Sequence, residues 1–407
     1  MTSQQLCVRG GTVITPDGPR KADLRIAGDT IVGVEPTGGG AAVEAEDVLD
    51  LDVTGLIVAP GFLDLQVNGG WGIDLTSELG SHPDRLWRLA EHLPAQGVTA
   101  FLPTVVSAPA SAVSAALRAV RDRPSDHRGA EPLGIHAEGP LLAPAKRGTH
   151  DPRHLRAADP AVIDGWTRQV GIAVATVAPE LPGALERIRE LVAAGVVVSI
   201  GHTAASYEQT IAAPDAGARA GTHLFNAMSG WSGRDPGAAG ALLTDPRATV
   251  GLIVDGAHLH PATVDAAWRL LGPGRAVLVT DAIAAAGTDD GTAVLGARTV
   301  TIRDGAVRDE EGVLAGSVVT LDRALRELVA VTGADPFDAL RTVTATPAAL
   351  LGCHDRGRLA TGARADLVLL TPGLEVAATL VGGQVAANPR PEVWSLPHPM
   401  SLRREGR

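Results

Sequence analysis

Four polar residues stand out because each closes a short, strongly apolar run: Glu138 in LGIHAEGP, His202 in VVVSIGHT, His223 in GTHLFNAM and Asp281 in AVLVTDA. One carboxylate and two imidazoles form a donor set suited to a borderline divalent cation with a position left open for water. A second carboxylate facing that water can take its proton and later pass one to a leaving group, and Asp281 is the residue assigned to that work. The run TVGLIVDGAHLHP adds Asp255 and His258, GTHLFNAM adds Asn226, and PGFLDLQVNGG ends in two side-chain amides, Gln66 and Asn68. His136 precedes Glu138 by two residues, so strand alternation turns it toward the same interior. Taken singly, each of these reads as an ordinary hydrogen-bonded residue. Their shared place at the ends of successive apolar runs is what argues for chemistry. Glu180, which ends GIAVATVAPE, reads equally well as a loop or helix-capping carboxylate. His82, His92, His127, His154, His354 and His398 fall in helices, loops or the tail, and nothing ties them to the set.

The elements that must hold these residues follow from the same text. Eight apolar runs recur: LIVAPGFLDLQVNG, GVTAFLPTVV, LGIHAEGP, GIAVATVAPE, VVVSIGHT, GTHLFNAM, TVGLIVDG and AVLVTDA. Helix-period segments over 82–97, 182–195 and 260–272 fill gaps between them. Strands that stay apolar throughout, alternating with helices, predict an α/β fold with a (β/α)8 TIM-like barrel, since parallel strands covered on both faces lose polar alternation. The polar residues then sit at the C-terminal strand ends, where barrels build their sites. From Leu6 to Val58, and again near the other end, the chain is short β-prone pieces cut by turns. A small β-sandwich domain formed by 1–57 and 356–407, flanking a barrel over 58–355, is the expected organisation.

The 407 residues carry a formal net charge of -11, with 45% apolar and only 3% aromatic residues. An acidic surface offers no attraction to nucleic acid or to anionic membranes, so any bound phosphate needs a local site. Two cysteines make neither a disulfide framework nor a thiolate cluster. MTSQQLCVRGG lacks a signal-like pattern, and no apolar run approaches the roughly 18 residues of a membrane span. A cytoplasmic protein is expected.

The motifs PGFLDLQVNG, HAEGP, KRGTH, GHT, THLFNAM, GRDPG, DGAHLHP, VTDA and LAGS occur in that order over nearly the whole length. With a barrel flanked by terminal β segments, the chain resembles the amidohydrolase superfamily, in particular its amino-sugar-phosphate deacetylase branch. The resemblance assigns Glu138, His202 and His223 to one divalent metal ion per subunit, zinc first, with iron or another transition metal as alternatives. It makes Asp281 the catalytic acid/base, assisted by His258 at the oxyanion. It places Thr149, His150, Asn226, Ala227, Arg234, Asp255, His258, Leu314, Ala315 and Gly316 around the sugar phosphate, with Gln66, Asn68 and His136 lining the site. Gln66 and Asn68 stand where many members carry His-x-His, which implies a single metal, because a neutral amide is a weaker ligand than imidazole for such cations. Phosphate candidates are Arg234, His258 and the loop Lys146-Arg147-Gly148-Thr149-His150, with Arg234 preferred for its paired donors. In the family that arginine often comes from a neighbouring subunit, which implies a homo-oligomer, dimer or dimer of dimers. The implied reaction is hydrolysis of the acetamide of N-acetylglucosamine 6-phosphate. The rivals are the galactosamine epimer, another amidohydrolase acting on an N-acyl amino acid, dipeptide or cyclic amide, and a non-catalytic scaffold; the last would be expected to lose a ligand or Asp281.

Overall fold

The computed structural model describes residues 5–37, 48–288 and 291–395. His398, the rest of 396–407 and two residues of the stretch after Asp281 lie outside them.

Eight parallel strands pair in chain order: Phe62–Val67, Val98–Val106, Ile135–Glu138, Ile172–Val177, Val197–Ile200, Ala220–Gly221, Thr249–Leu252 and Ala276–Leu278. These are strands one to eight below. Every residue of strand one, and of strands three to five, is buried, as apolar runs covered by helices outside and packed side chains inside require. The ring closes through a parallel bridge between Val67 and Ala282 and a hydrogen bond from Asp281 N to Gln66 O at 2.9 Å. Helix Ala345–Leu351 plugs the opposite end, where Ala348 and Leu351 pack with Leu63, Leu65 and Ala100.

The expected helices over 182–195 and 260–272 appear as Ala184–Ala193 and Pro261–Leu271. The one expected over 82–97 is shorter, Arg85–His92 followed by a 3-10 turn Leu93–Gln96. Pro94 has no N–H to give the carbonyl of Ala90, and Ala130 N takes that carbonyl at 2.8 Å instead.

A nine-stranded sheet joins the two ends of the chain. Leu367–Leu370 pairs antiparallel with Ile57–Pro60, so a late segment seals an early one. The long strand Gly18–Ala27 pairs with Thr12–Thr15 through its first half and with Gln5–Arg9 and Thr30–Pro36 through its second. The sheet therefore turns a corner and encloses Leu24, Ile26, Val58, Leu367, Leu369 and Leu380.

One element was not anticipated. After strand eight comes a three-stranded antiparallel sheet, Thr292–Leu295, Arg298–Arg303 and Ala306–Asp309, packed on Ile283 and Ala315. It overhangs the C-terminal end of the barrel.

Candidate active site

Glu138 is the last residue of strand three, and His202 and His223 lie two residues beyond strands five and six. His202, His223 and Asp281 have φ of 48°, 28° and 49°, all on the positive side that residues other than glycine rarely occupy. Strain of this kind persists only where the surroundings over-determine it, and here it turns three polar side chains inward at the strand ends.

The three metal candidates meet. Glu138 Oε1 lies 3.3 Å from His202 Nε2 and 3.0 Å from His223 Nε2, and the two imidazole nitrogens are 3.0 Å apart. All three residues are buried, with donor atoms within 4.8 Å of one another. His202 Nδ1 donates to Lys146 O at 2.9 Å, which turns its Nε2 toward the cluster. This donor set fits a divalent cation. Burial pushes the Glu138 carboxyl up, but hydrogen bonds from His202 and His223 outweigh it and hold it well below the usual carboxylate range. Burial lowers His223, yet the same carboxylate brings it above its ordinary value.

The two amides act as donors. Gln66 Nε2 lies 2.9 Å from Glu138 Oε1 and 2.9 Å from Asp281 Oδ1, and Asn68 Nδ2 lies 2.7 Å from the same Asp281 oxygen. Neutral N–H groups thus fill the space between two buried carboxylates. Burial first, and the Glu138 charge second, raise the Asp281 carboxyl above its ordinary range, which makes it a stronger base once ionised.

Around this floor is a cavity of about 550 Å³ lined by, among others, Asn68, Thr149, His150, Asn226, Ala227 and His258, and by Leu314 and Gly316 on the far wall. Asp255 stands behind His258. It accepts the Nδ1–H at 2.8 Å and the backbone N–H of Ala257 and His258, which leaves Nε2 for a ligand. Burial raises the Asp255 carboxyl, and the His258 hydrogen bond more than reverses this. Ser107 N donates to His150 Nδ1 at 3.2 Å, so His150 carries its proton on Nε2, 3.9 Å from Glu138 Oε2. Burial, with the His202 charge, holds His150 down to about 3, so it is a neutral N–H donor. Gly316 has φ +67°, and a Cβ there would meet Asp281 O at 2.8 Å, so the LAGS turn can approach the Asp281 backbone only with glycine.

Other candidates fall elsewhere. His136 sits beneath the floor: its Nδ1 donates to Leu65 O and its Nε2 accepts from Thr176 Oγ1 at 2.7 Å, so neither nitrogen is free for a metal. Burial lowers it to about 4. Ala315 is buried behind the wall, bonded to Val307 O. Glu180 is a loop carboxylate, accepting from Thr203 Oγ1 and Ala204 N at 2.5 Å each. Arg234 is exposed and does not line the cavity of its own chain. Missed by the sequence reading were Ser107, which sets the His150 tautomer, and Arg308 of the overhanging sheet and Glu311 in the turn after it, which line the mouth. Asp304-Gly305 between alternating segments is a hairpin signal that announces that sheet.

With this geometry in view, the match to known proteins is decisive: the model of the amidohydrolase family covers residues 57–386. The chain belongs to the amidohydrolase family. Among curated members it is 39% identical over 368 residues to the N-acetylgalactosamine-6-phosphate deacetylase of Escherichia coli O157:H7, covering 89% of this chain and 94% of that one. It is 37% identical over 345 residues to the N-acetylglucosamine-6-phosphate deacetylase of Danio rerio, covering 82% and 85%. The crystal structure of N-acetylglucosamine-6-phosphate deacetylase from Pasteurella multocida superposes with a TM-score of 0.87 at 30% identity, over 94% of this chain and 100% of that one. Amidohydrolases are metal-dependent, and among the described residues of this member Glu138, His202 and His223 form a group that could hold a metal. No helix among the described residues is long and apolar enough to cross a membrane.

Proposed function

We propose that the protein hydrolyses the N-acetyl group of N-acetyl-D-glucosamine 6-phosphate, giving D-glucosamine 6-phosphate and acetate. The observation that carries this is the cavity with the Glu138–His202–His223 cluster and Asp281 on one floor, in a chain 37% identical to a deacetylase of that substrate. Its volume of about 550 Å³ suits a sugar phosphate.

A divalent cation held by Glu138, His202 and His223 would polarise the acetyl carbonyl and lower the pKa of the attacking water. Two imidazoles and a carboxylate favour zinc first, then iron or another transition metal, and the amide donors of Gln66 and Asn68 favour a single ion. Asp281, oriented by those amides, takes the proton of the attacking water as oxygen bonds to the acetyl carbon. His258, held at Nδ1 by Asp255, turns Nε2 toward the developing oxyanion. Asp281 then returns the proton to the amine nitrogen as the C–N bond breaks. Thr149, His150, Asn226 and the backbone of Ala227, Leu314 and Gly316 surround the sugar.

Arg234 is assigned to the phosphate of a neighbouring subunit's site, within a dimer or dimer of dimers. Its exposure, together with the 48% exposed Trp231 nearby, supports a contact between chains there. Free cysteines are in keeping with a cytoplasmic setting. A second reading, the galactosamine epimer, is favoured by the 39% identity to a deacetylase of that sugar phosphate. Acetate release from both phosphorylated epimers, the plain sugars and an N-acetyl amino acid separates these readings. Activity confined to the amino acid would overturn both.

A further inference from the structure

The cavity mouth carries charge that the reaction leaves unused. Lys146, Arg147 and Arg308 line it, and among the described residues Glu311 is the one lining acid besides Glu138 and Asp281 on the floor. Arg147 Nη2 donates to Glu311 Oε2 at 3.3 Å, while its Nη1 donates to Gly148 O and His150 O, 3.3 Å each. Glu311 also accepts from Arg298 at 3.4 Å. The pair spans the mouth. One side is the loop whose Lys146 carbonyl orients His202; the other leads into the Leu314–Gly316 wall beside Asp281.

The polarity of the cavity orders a substrate. The acetamide must reach Asp281 on the floor, so the 6-phosphate, at the other end of the sugar, is left toward the mouth, where Lys146, Arg147 and Arg308 supply positive charge. There the Arg147–Glu311 pair is weak, since the Glu311 side chain is 56% exposed and the contact is long. A phosphate dianion offers more charge and more acceptor oxygens to a guanidinium than one solvated carboxylate does.

We infer that the 6-phosphate displaces Glu311 from Arg147, so that Arg147 of the same chain reads the phosphate and Glu311 is a placeholder released by substrates that carry one. This inference rests on the proposed reaction, and it is independent of what Arg234 supplies from another subunit. Arg147 is a specificity-determining residue in this account, and Glu311 its competitor.

The test uses the full-length, metal-loaded protein and compares kcat/KM for N-acetylglucosamine 6-phosphate with that for N-acetylglucosamine. Arg147→Gln should lower the ratio by ~10-fold or more, chiefly through KM for the phosphorylated sugar, the loss expected for a charge-assisted contact. Arg147→Lys should recover little of it, because ammonium lacks the paired donors. Glu311→Gln should act in the opposite sense, lowering KM for the phosphorylated sugar and tightening inorganic phosphate binding measured by calorimetry. Ratios unchanged within ~2-fold in both variants, on the scale where 1.4 kcal/mol is tenfold, would overturn the inference. So would a Glu311→Gln variant that weakens phosphate as Arg147→Gln does, since the pair would then be a structural tie. If the parent protein releases no acetate from any sugar phosphate, the reaction is wrong; the calorimetric comparison with inorganic phosphate still decides the role of Arg147.

Discussion

Asn68 Nδ2 donates to Asp281 Oδ1 at 2.7 Å across the seam where the last barrel strand meets the first. The contact joins an amide from strand one to the acid that follows strand eight, and Gln66 supplies a second donor to the same oxygen. Both amide donors fall on Oδ1.

Asp281→Asn keeps the size of the side chain and removes its basicity. Turnover should fall by at least ~100-fold, as for loss of a general base. Metal content should survive. Acetate release and elemental analysis on the same preparation check both halves; turnover near that of the parent would remove Asp281 from the mechanism, and lost metal would make it a ligand.

Metal stoichiometry follows from the amides. Protein purified without chelator should hold close to one divalent ion per chain, because Gln66 and Asn68 present N–H groups where a second cation would need lone pairs. Chelation should abolish acetate release and lower the melting temperature, with both restored by zinc. Reproducible occupancy near two would contradict this reading of the amides.

Arg234→Ala should raise KM for the phosphorylated sugar by ~10-fold or more while barely altering the plain sugar. Mixed with Asp281→Asn chains after subunit exchange, it should recover activity, because some sites would combine an intact Asp281 with an intact Arg234. Exchange without recovery would place Arg234 outside any shared site.

Asp64 gives a pH signature distinct from catalysis. Burial raises its carboxyl to about 7, although Thr280 Oγ1 donates to it at 2.6 Å. The unfolded chain releases this proton near pH ~4, so the stabilisation is complete below that and is lost as pH rises through about 7. Denaturant midpoints should therefore fall between about pH 4 and 7, and Asp64→Asn should flatten part of that fall. An identical slope in the variant would assign the effect to other buried acids.

Much of this was legible because it is local. An apolar run ending in Glu138, His202, His223 or Asp281 needs only neighbouring residues to be recognised, and strand ends of a barrel converge by geometry. The overhanging sheet was missed although Asp304-Gly305 marked a hairpin, and the helix expected over 82–97 was cut by Pro94, a residue in plain view. Those were errors of weighing local signals.

Other features had no local signal at all. The proton on His150 Nε2 depends on Ser107, and the pairing of Arg147 with Glu311 joins two loops far apart in the chain. Residue type and order determined which donors, acids and imidazoles this protein owns and which strand ends carry them, because strand and helix patterns arise from nearest neighbours. Closure of the barrel decided the rest: only the seam that brings Gln66 and Asn68 to Asp281 turns two amides into hydrogen-bond donors for a buried acid, since a hydrogen bond exists only at a distance, and distance between remote residues is a property of the fold.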